Sequence, residues 1–210
     1  LSTTPSSFPI LTLNKEYRTM ITPNNGVFIE FDYNAFELRV LTALLEREQP
    51  KGDIHDWNIK NIFKDGTSRS EAKQRIFAWL YNPNSNDKLL SEKYDRKGLL
   101  KKYFSDGKIV TDFDREIEAD DYHALNYLIQ STASDLFLEQ VYKVFKILED
   151  NNCKSYVSML IHDSMILDFD RMDYKLLNQI KDAFKQTRYG DFKLNIQVGR
   201  TLGDLSTEWK

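Results

Sequence analysis

The chain of 210 residues holds one cysteine, Cys153. That count excludes an internal disulfide and a multi-cysteine zinc site, and it fits a reducing, cytoplasmic compartment. Long apolar runs are missing as well: none approaches the length that crosses a bilayer, so no membrane partner is expected. No leader segment is visible, and the chain opens on Leu1 rather than Met, as a fragment or a processed product would. The basic excess that marks many nucleic-acid binders is also absent, since the net charge is −3. Local charge must therefore carry any such function. What is present is 41% hydrophobic and 13% aromatic residues, enough for a substantial core in one large domain or two small ones.

The rest of the chain is organised around Gly26 to Arg39 (GVFIEFDYNAFELR). Val27, Phe28, Ile29 and Phe31 are β-branched or aromatic, which predicts a buried strand over Gly26 to Asp32 after an Asn24-Asn25-Gly26 turn. From Ala35 to Gln49 the apolar positions follow helical spacing, so Asp32 stands at a strand-to-helix corner. Two roles suit a carboxylate there: holding a metal or phosphate site, or capping the helix.

Upstream, Leu1 to Pro9 is rich in Ser, Thr and Pro and reads as extended, and Ile10 to Ile21 alternates briefly, which predicts a short strand or two. Downstream, Asp53 to Phe63 predicts a short helical segment. Ser68 with Glu71 then forms a capping box that opens a helix to Tyr81. Along it Arg69, Lys73, Phe77 and Tyr81 recur every four residues as one slanted stripe roughly 18 Å long, about the length of a nucleoside triphosphate. The cations stand at the N-terminal end, where the helix dipole favours anions, and the aromatics at the other. The same spacing suits an amphipathic helix with a solvated basic end and aromatic core contacts.

Asp87 to Phe104 predicts a locally basic helix, either a solvated face or a track for a nucleic-acid backbone, and Ser105 to Asp121 reads as irregular and acidic. Asp121 to Asp150 is the longest helical pattern, with a broad apolar face that includes Leu128, Leu136, Val144 and Phe145. Asn126 and Gln130 on it can read base edges or satisfy each other. Tyr156 to Ile161 and Met165 to Phe169 predict a hairpin with His162-Asp163-Ser164 at its tip, followed by a helix over Met172 to Thr187 and a strand over Phe192 to Val198. Asp163 is then either ordinary turn chemistry or a second strand-end carboxylate. Two carboxylates at one sheet edge are what two-metal phosphoryl transfer requires.

These motifs, in this order, resemble the polymerase domain of family A DNA polymerases, the DNA polymerase I and phage replicase group. The matching stretches are Asp32-Tyr33 with Glu37-Leu38-Arg39, then Asp53-Ile54-His55, then Arg69, Lys73, Phe77 and Tyr81, then Asn126 with Gln130 to Asp135, and finally His162-Asp163. The resemblance implies an α+β fold: an antiparallel palm sheet backed by helices, with an inserted helical fingers subdomain. Its parts would be palm over 1–50, fingers over 51–121 and palm again over 122–210. It implies DNA-directed DNA synthesis by two-metal phosphoryl transfer from dNTPs onto a primer 3′-OH, releasing pyrophosphate. Asp32, Asp163 and the Tyr33 backbone carbonyl would hold two Mg²⁺ ions, or Mn²⁺ in their place. Arg69, Lys73 and His55 would bind the incoming nucleotide, with Lys73 also a general acid toward pyrophosphate. Phe77 would stack on the nucleotide, Glu37 would exclude a ribose 2′-OH, and Tyr81 would guard the nascent pair. Arg39, Asn126, Gln130 and His162 would contact the primer-template DNA.

The departures are equally specific. Ser164 stands where the family usually has Glu, Ala78 and Asn82 replace glycines, and Tyr122 replaces an Arg. The fingers are short, and no thumb or exonuclease region is recognisable, so an upstream region or an accessory protein is an expected partner. Compaction and the Asn and Lys content point to a viral source, which would put the protein in the host cytoplasm. The rival readings are a non-catalytic or thumb-dependent DNA-binding subunit, a single-subunit RNA polymerase, against which Glu37 argues, and more remotely a two-metal nuclease.

Overall fold

A computed structural model of the chain describes residues 12–63 and 66–207. The expected extended segment over Leu1 to Pro9 lies outside the described residues. In chain order the elements are α1 (Lys15–Arg18), β1 (Val27–Tyr33), α2 (Phe36–Leu44), α3 (Ile54–Asn58), α4 (Arg69–Tyr81), α5 (Lys88–Lys93) and α6 (Arg96–Tyr103). There follow β2 (Phe104–Ser105), β3 (Lys108–Val110), β4 (Glu116–Glu118), α7 (Ala124–Asp150), β5 (Tyr156–Ile161), β6 (Ser164–Phe169), α8 (Leu177–Lys185), β7 (Gln186–Thr187), β8 (Gly190–Asp191) and β9 (Leu194–Gly199). The fold is α+β with antiparallel sheets. The described residues divide into two compact units, one within residues 12–33, 140–184 and 194–207, the other within residues 34–63, 66–139 and 185–193.

The first unit is built on a sheet of order β5-β6-β1-β9, antiparallel throughout. Alternation along β1 turns Ile29, Phe31 and Tyr33 to one face, where each is almost wholly buried. Phe184 of α8 stacks on Tyr33 with ring centroids 4.7 Å apart, and the Tyr33 hydroxyl donates to the Phe184 carbonyl. Burying side chains of this size stabilises by about 1.5–3 kcal/mol each. Gln140 Nε2 donates to the Ala183 and Phe184 carbonyls, which ties the C-terminal half of α7 to α8. On the other face, Asp168 accepts from the Asn24 and Asn25 amides at 2.7 and 2.9 Å and from the Tyr156 hydroxyl, fixing the turn that leads into β1.

Over Ile10 to Ile21 a strand was expected; the described part forms α1 instead, because Asn14 caps it through Oδ1 to the Glu16 amide. The predicted helix over Met172 to Thr187 begins as a 3-10 turn, Arg171–Leu176, capped by Asp170, before α8.

In the second unit, α2 is buried on nearly every side. The segment after Asp53 is α3 continued as a π turn over Ile59–Phe63. α4 opens on the expected capping box and buries Ala72, Ile76, Trp79 and Leu80. The single basic helix expected over Asp87 to Phe104 is two helices, because Asp95 accepts from the Gly98 amide at 2.9 Å and caps a new start at α6. The stretch read as irregular holds the small sheet β2-β3-β4. Asp106 (φ 52°) and Gly107 (φ 71°) make the tight turn of its first hairpin, with Ile109 opposite Ile117 in the second. α7 is one helix of 27 residues, although Phe145, expected on its apolar face, is exposed.

Candidate functional site

Asp32 and Asp163 come to the same edge of the first unit's sheet. Asp32 is opposite Ser164 on β6 and Asn195 on β9. Asp163 belongs to the two-residue tip His162-Asp163 between Ile161 and Ser164. His162 is exposed and has φ 55°, a left-handed conformation that His adopts more readily than most residues. Asp32 is not a helix cap: α2 starts after Ala35, itself left-handed, with no side-chain cap bond. Instead Asp32 Oδ2 accepts from Asn195 Nδ2 at 3.0 Å. Burial pushes the Asp32 carboxyl pKa up, the Asn195 bond opposes this, and the charge of Asp163 adds to the rise. The two carboxylates therefore feel each other across the strand ends.

Glu30 shares the face of Asp32. Its pKa is raised by burial and by Asp32, against the opposing effects of a hydrogen bond from Ser164 and the charge of Arg18. Among the described residues no group of three or more His, Cys, Asp or Glu forms a ready-made cage for a metal ion.

The second unit gathers another set. Along α4, Arg69, Lys73 and Tyr81 are exposed and Phe77 is half-buried, so the stripe is open and the core contacts come from the opposite face. Phe77 and Tyr81 stack with centroids 5.9 Å apart and planes 5° from parallel, and Lys73 Nζ lies 5.7 Å from the Phe77 ring. The buried His55 ring is 6.2 Å from Phe77. Its pKa is lowered by burial, with Asp53 opposing and Arg69 and Lys73 assisting. The Tyr81 hydroxyl donates to Glu37.

Asp53 organises this set. It caps α3 through the His55 and Asp56 amides, accepts from Asn34 Nδ2 at 2.8 Å, and accepts from Arg69 at 2.9 Å. Burial works against its carboxylate, but these bonds outweigh burial and hold its pKa well below the usual range. Neither Asn34 nor Asp53 was a candidate site residue in the sequence reading; the signal was the Asp53 cap just ahead of His55.

Arg39 is a correction. Expected on DNA, it is fully buried and donates to the carbonyls of Asn34, Pro50 and Gly52 at 2.8, 3.0 and 2.7 Å, and to Asn34 Oδ1 at 3.1 Å. Burial lowers its pKa to about 10, with Asp53 opposing, so it stays charged. It staples the α2–α3 connection and offers no surface to a ligand. On α7, Gln130 is exposed, whereas Asn126 is half-buried with Oδ1 buried and without a hydrogen-bond partner.

No family model matches the chain. It is 23% identical to DNA polymerase I of Borreliella burgdorferi over an alignment covering 91% of this chain and 26% of that protein. It is 25% identical to DNA polymerase I of Caldicellulosiruptor bescii, over 79% of this chain and 25% of that protein. The chain thus spans about a quarter of the length of the curated relatives it matches. In fold it is similar to the POL domain of Pol1 from M. smegmatis, solved in complex with DNA primer-template and dNTP. There the TM-score is 0.71 at 15% identity, over 91% of this chain and 43% of the other. Motif order, distant sequence likeness and fold point the same way: the chain is similar, at low identity, to DNA polymerase I enzymes, and it shares the fold of a POL domain.

Proposed function

We propose that the chain carries template-directed DNA synthesis, adding deoxynucleotides to a primer 3′-OH with release of pyrophosphate. The observation that carries this reading is the pair Asp32 and Asp163 at one strand edge, close enough for Asp163 to raise the Asp32 pKa. The donor set fits Mg²⁺, a hard cation that takes oxygen ligands and is commonly held by one or two carboxylates completed by waters and substrate phosphates. Asp32, Asp163 and the Tyr33 carbonyl would hold the ions. When bound, these ions supply an activated 3′-OH and a countercharge to the reacting phosphate.

The other roles belong to the chain's own side chains. In the second unit, Arg69 and Lys73 present exposed cations on the first turns of α4, suited to a triphosphate. Asp53 keeps the Arg69 guanidinium in a fixed direction. Lys73 is the proton donor to the departing pyrophosphate, and Phe77 the stacking surface for the nucleotide. Tyr81 and Glu37, hydrogen-bonded to each other, form a fence against a 2′-OH. Gln130, Asn126 and His162 are the proposed DNA contacts; Arg39 is not among them.

A second reading, a DNA-binding subunit without activity, is favoured by Ser164 and by the lack of a three-carboxylate group among the described residues. Extension of a labelled primer-template with dNTPs and rNTPs in parallel decides between them. The wild-type chain is expected to extend with dNTPs in Mg²⁺ and Asp163→Asn not to. DNA binding without extension, also when an upstream polymerase region is supplied in trans, supports the inactive subunit.

A further inference from the structure

Asn34 takes no part in the roles assigned above, and Arg39 only a structural one, yet both belong to one hydrogen-bonded series that ends on Arg69. Asn34 is buried, and the two ends of its amide face different chemistry. Its Oδ1 accepts from the Arg39 guanidinium and from the Ile54 amide, each at 3.1 Å, and its Nδ2 donates to Asp53 Oδ2 at 2.8 Å. Arg39 and the Ile54 amide can only donate and the Asp53 carboxylate can only accept, so one orientation of the Asn34 amide satisfies all three. Asp53 is held as firmly. Its Oδ1 takes the His55 and Asp56 amides at 2.9 and 3.1 Å, and its Oδ2 takes Asn34 and Arg69 at 2.8 and 2.9 Å, so four donors keep the carboxylate from turning.

The order along the series is cation, amide dipole, anion, cation: Arg39, Asn34, Asp53, Arg69. Each bond polarises the next in the same sense, which strengthens the series where water is excluded. Only its last member is open. The Arg69 side chain is 55% exposed against 15% for Asp53, while Arg39 and Asn34 are buried. An exposed arginine otherwise samples many rotamers, and fixing its direction before a ligand arrives removes that ordering cost from binding. We infer that Asn34 is a positioning residue for the triphosphate: backed by Arg39, it locks the Asp53 carboxylate that aims Arg69, and it touches no part of the nucleotide itself. This rests on the reading of α4 as the triphosphate site and adds two buried residues to it.

The test is binding of inorganic tripolyphosphate in chelator, by isothermal titration calorimetry on the wild-type chain, Asn34→Ala, Arg69→Ala and the double variant Asn34→Ala/Arg69→Ala. Circular-dichroism melts set a temperature at which all are folded; Asn34→Ser, which keeps a polar group but falls short of Asp53, takes the place of Asn34→Ala if that variant does not fold. Arg69→Ala is expected to weaken binding, with Lys73 leaving a residual affinity to compare against. Asn34→Ala is expected to weaken it about tenfold, within the range of coupling between members of one hydrogen-bond network, and the double variant to bind no worse than Arg69→Ala. Loosened packing around Asn34 would act on both backgrounds alike, so a second tenfold loss in the Arg69→Ala background makes the role of Asn34 structural and overturns the inference. So does an Asn34→Ala chain that binds as tightly as wild type while Arg69→Ala does not. If wild type and Arg69→Ala bind equally, or wild type does not bind, the triphosphate reading of α4 fails and takes this inference with it.

Discussion

Arg39→Met separates a structural role from a DNA-contacting one. The guanidinium makes four hydrogen bonds, three of them to main-chain carbonyls, of which those of Asn34 and Pro50 belong to buried residues. Hydrogen bonds to a charged group contribute about 1.5–3 kcal/mol each, but they do not add fully, and methionine fills part of the volume. What remains is the desolvation cost of the buried Asn34 and Pro50 carbonyls, which sets a loss of about 3–5 kcal/mol. In a chain of this size each kcal/mol moves the melting temperature by about 2–4 °C, so Arg39→Met should melt roughly 10 °C lower. Differential scanning calorimetry measures the shift, and fluorescence anisotropy with a labelled primer-template measures DNA affinity at a temperature where both proteins are folded. The expected pair is a large drop in melting temperature with DNA affinity unchanged. An unchanged melting temperature with weakened DNA binding would refute the staple and restore the role read from the motif.

Three further outcomes follow from the same geometry. Asp32 has a raised folded-state pKa, so its stabilising contribution is present below the ordinary carboxylate range and is lost as pH rises through the folded value; in chelator at pH 7, Asp32→Asn should therefore melt above wild type. That advantage should vanish below about pH 4, and a wild type more stable than Asp32→Asn at pH 7 contradicts it. Ser68→Ala removes the hydroxyl that accepts from the Glu71 amide at 3.3 Å and should cost about 1 kcal/mol in urea denaturation; no change in midpoint would mean the box contributes nothing. Glu37→Ala should raise rNTP incorporation relative to dNTP, and Tyr81→Phe, which lets Glu37 swing free, should do so more weakly; unchanged ratios in competition assays would dissociate the bonded pair from sugar choice.

The residues that were legible owe it to local signals strong enough to survive packing. β1 was read from a run of β-branched and aromatic side chains, and α4 from Ser68 and Glu71, whose reciprocal bonds are local by nature. The hairpin tip at His162-Asp163 followed from two apolar strands with only polar residues between them. α1 was missed because four residues have too little periodicity to compete with a brief alternation. The Asp106-Gly107 turn was available as a hairpin signal but was overlooked within an acidic stretch that looked irregular. Arg39 was misread because a motif gives an arginine's position in the chain and not its depth: its partners Pro50 and Gly52 become visible only once the chain has folded back on α2. The bond from Ser164 to Glu30 is not readable from the sequence, because the two residues meet only once β6 has paired with β1.

The central claim is that Asp32 and Asp163 act on the reacting phosphate and not on DNA binding. Its most direct test is single-nucleotide incorporation by rapid quench, with primer-template affinity measured on the same samples, for the wild type, Asp32→Asn and Asp163→Asn. Since metal-assisted charge stabilisation is worth several kcal/mol, each substitution should lower the incorporation rate by about a thousandfold while DNA affinity holds. Variants that incorporate at the wild-type rate would contradict the claim, and a wild type that binds primer-template but incorporates nothing in Mg²⁺ or Mn²⁺ would contradict it equally.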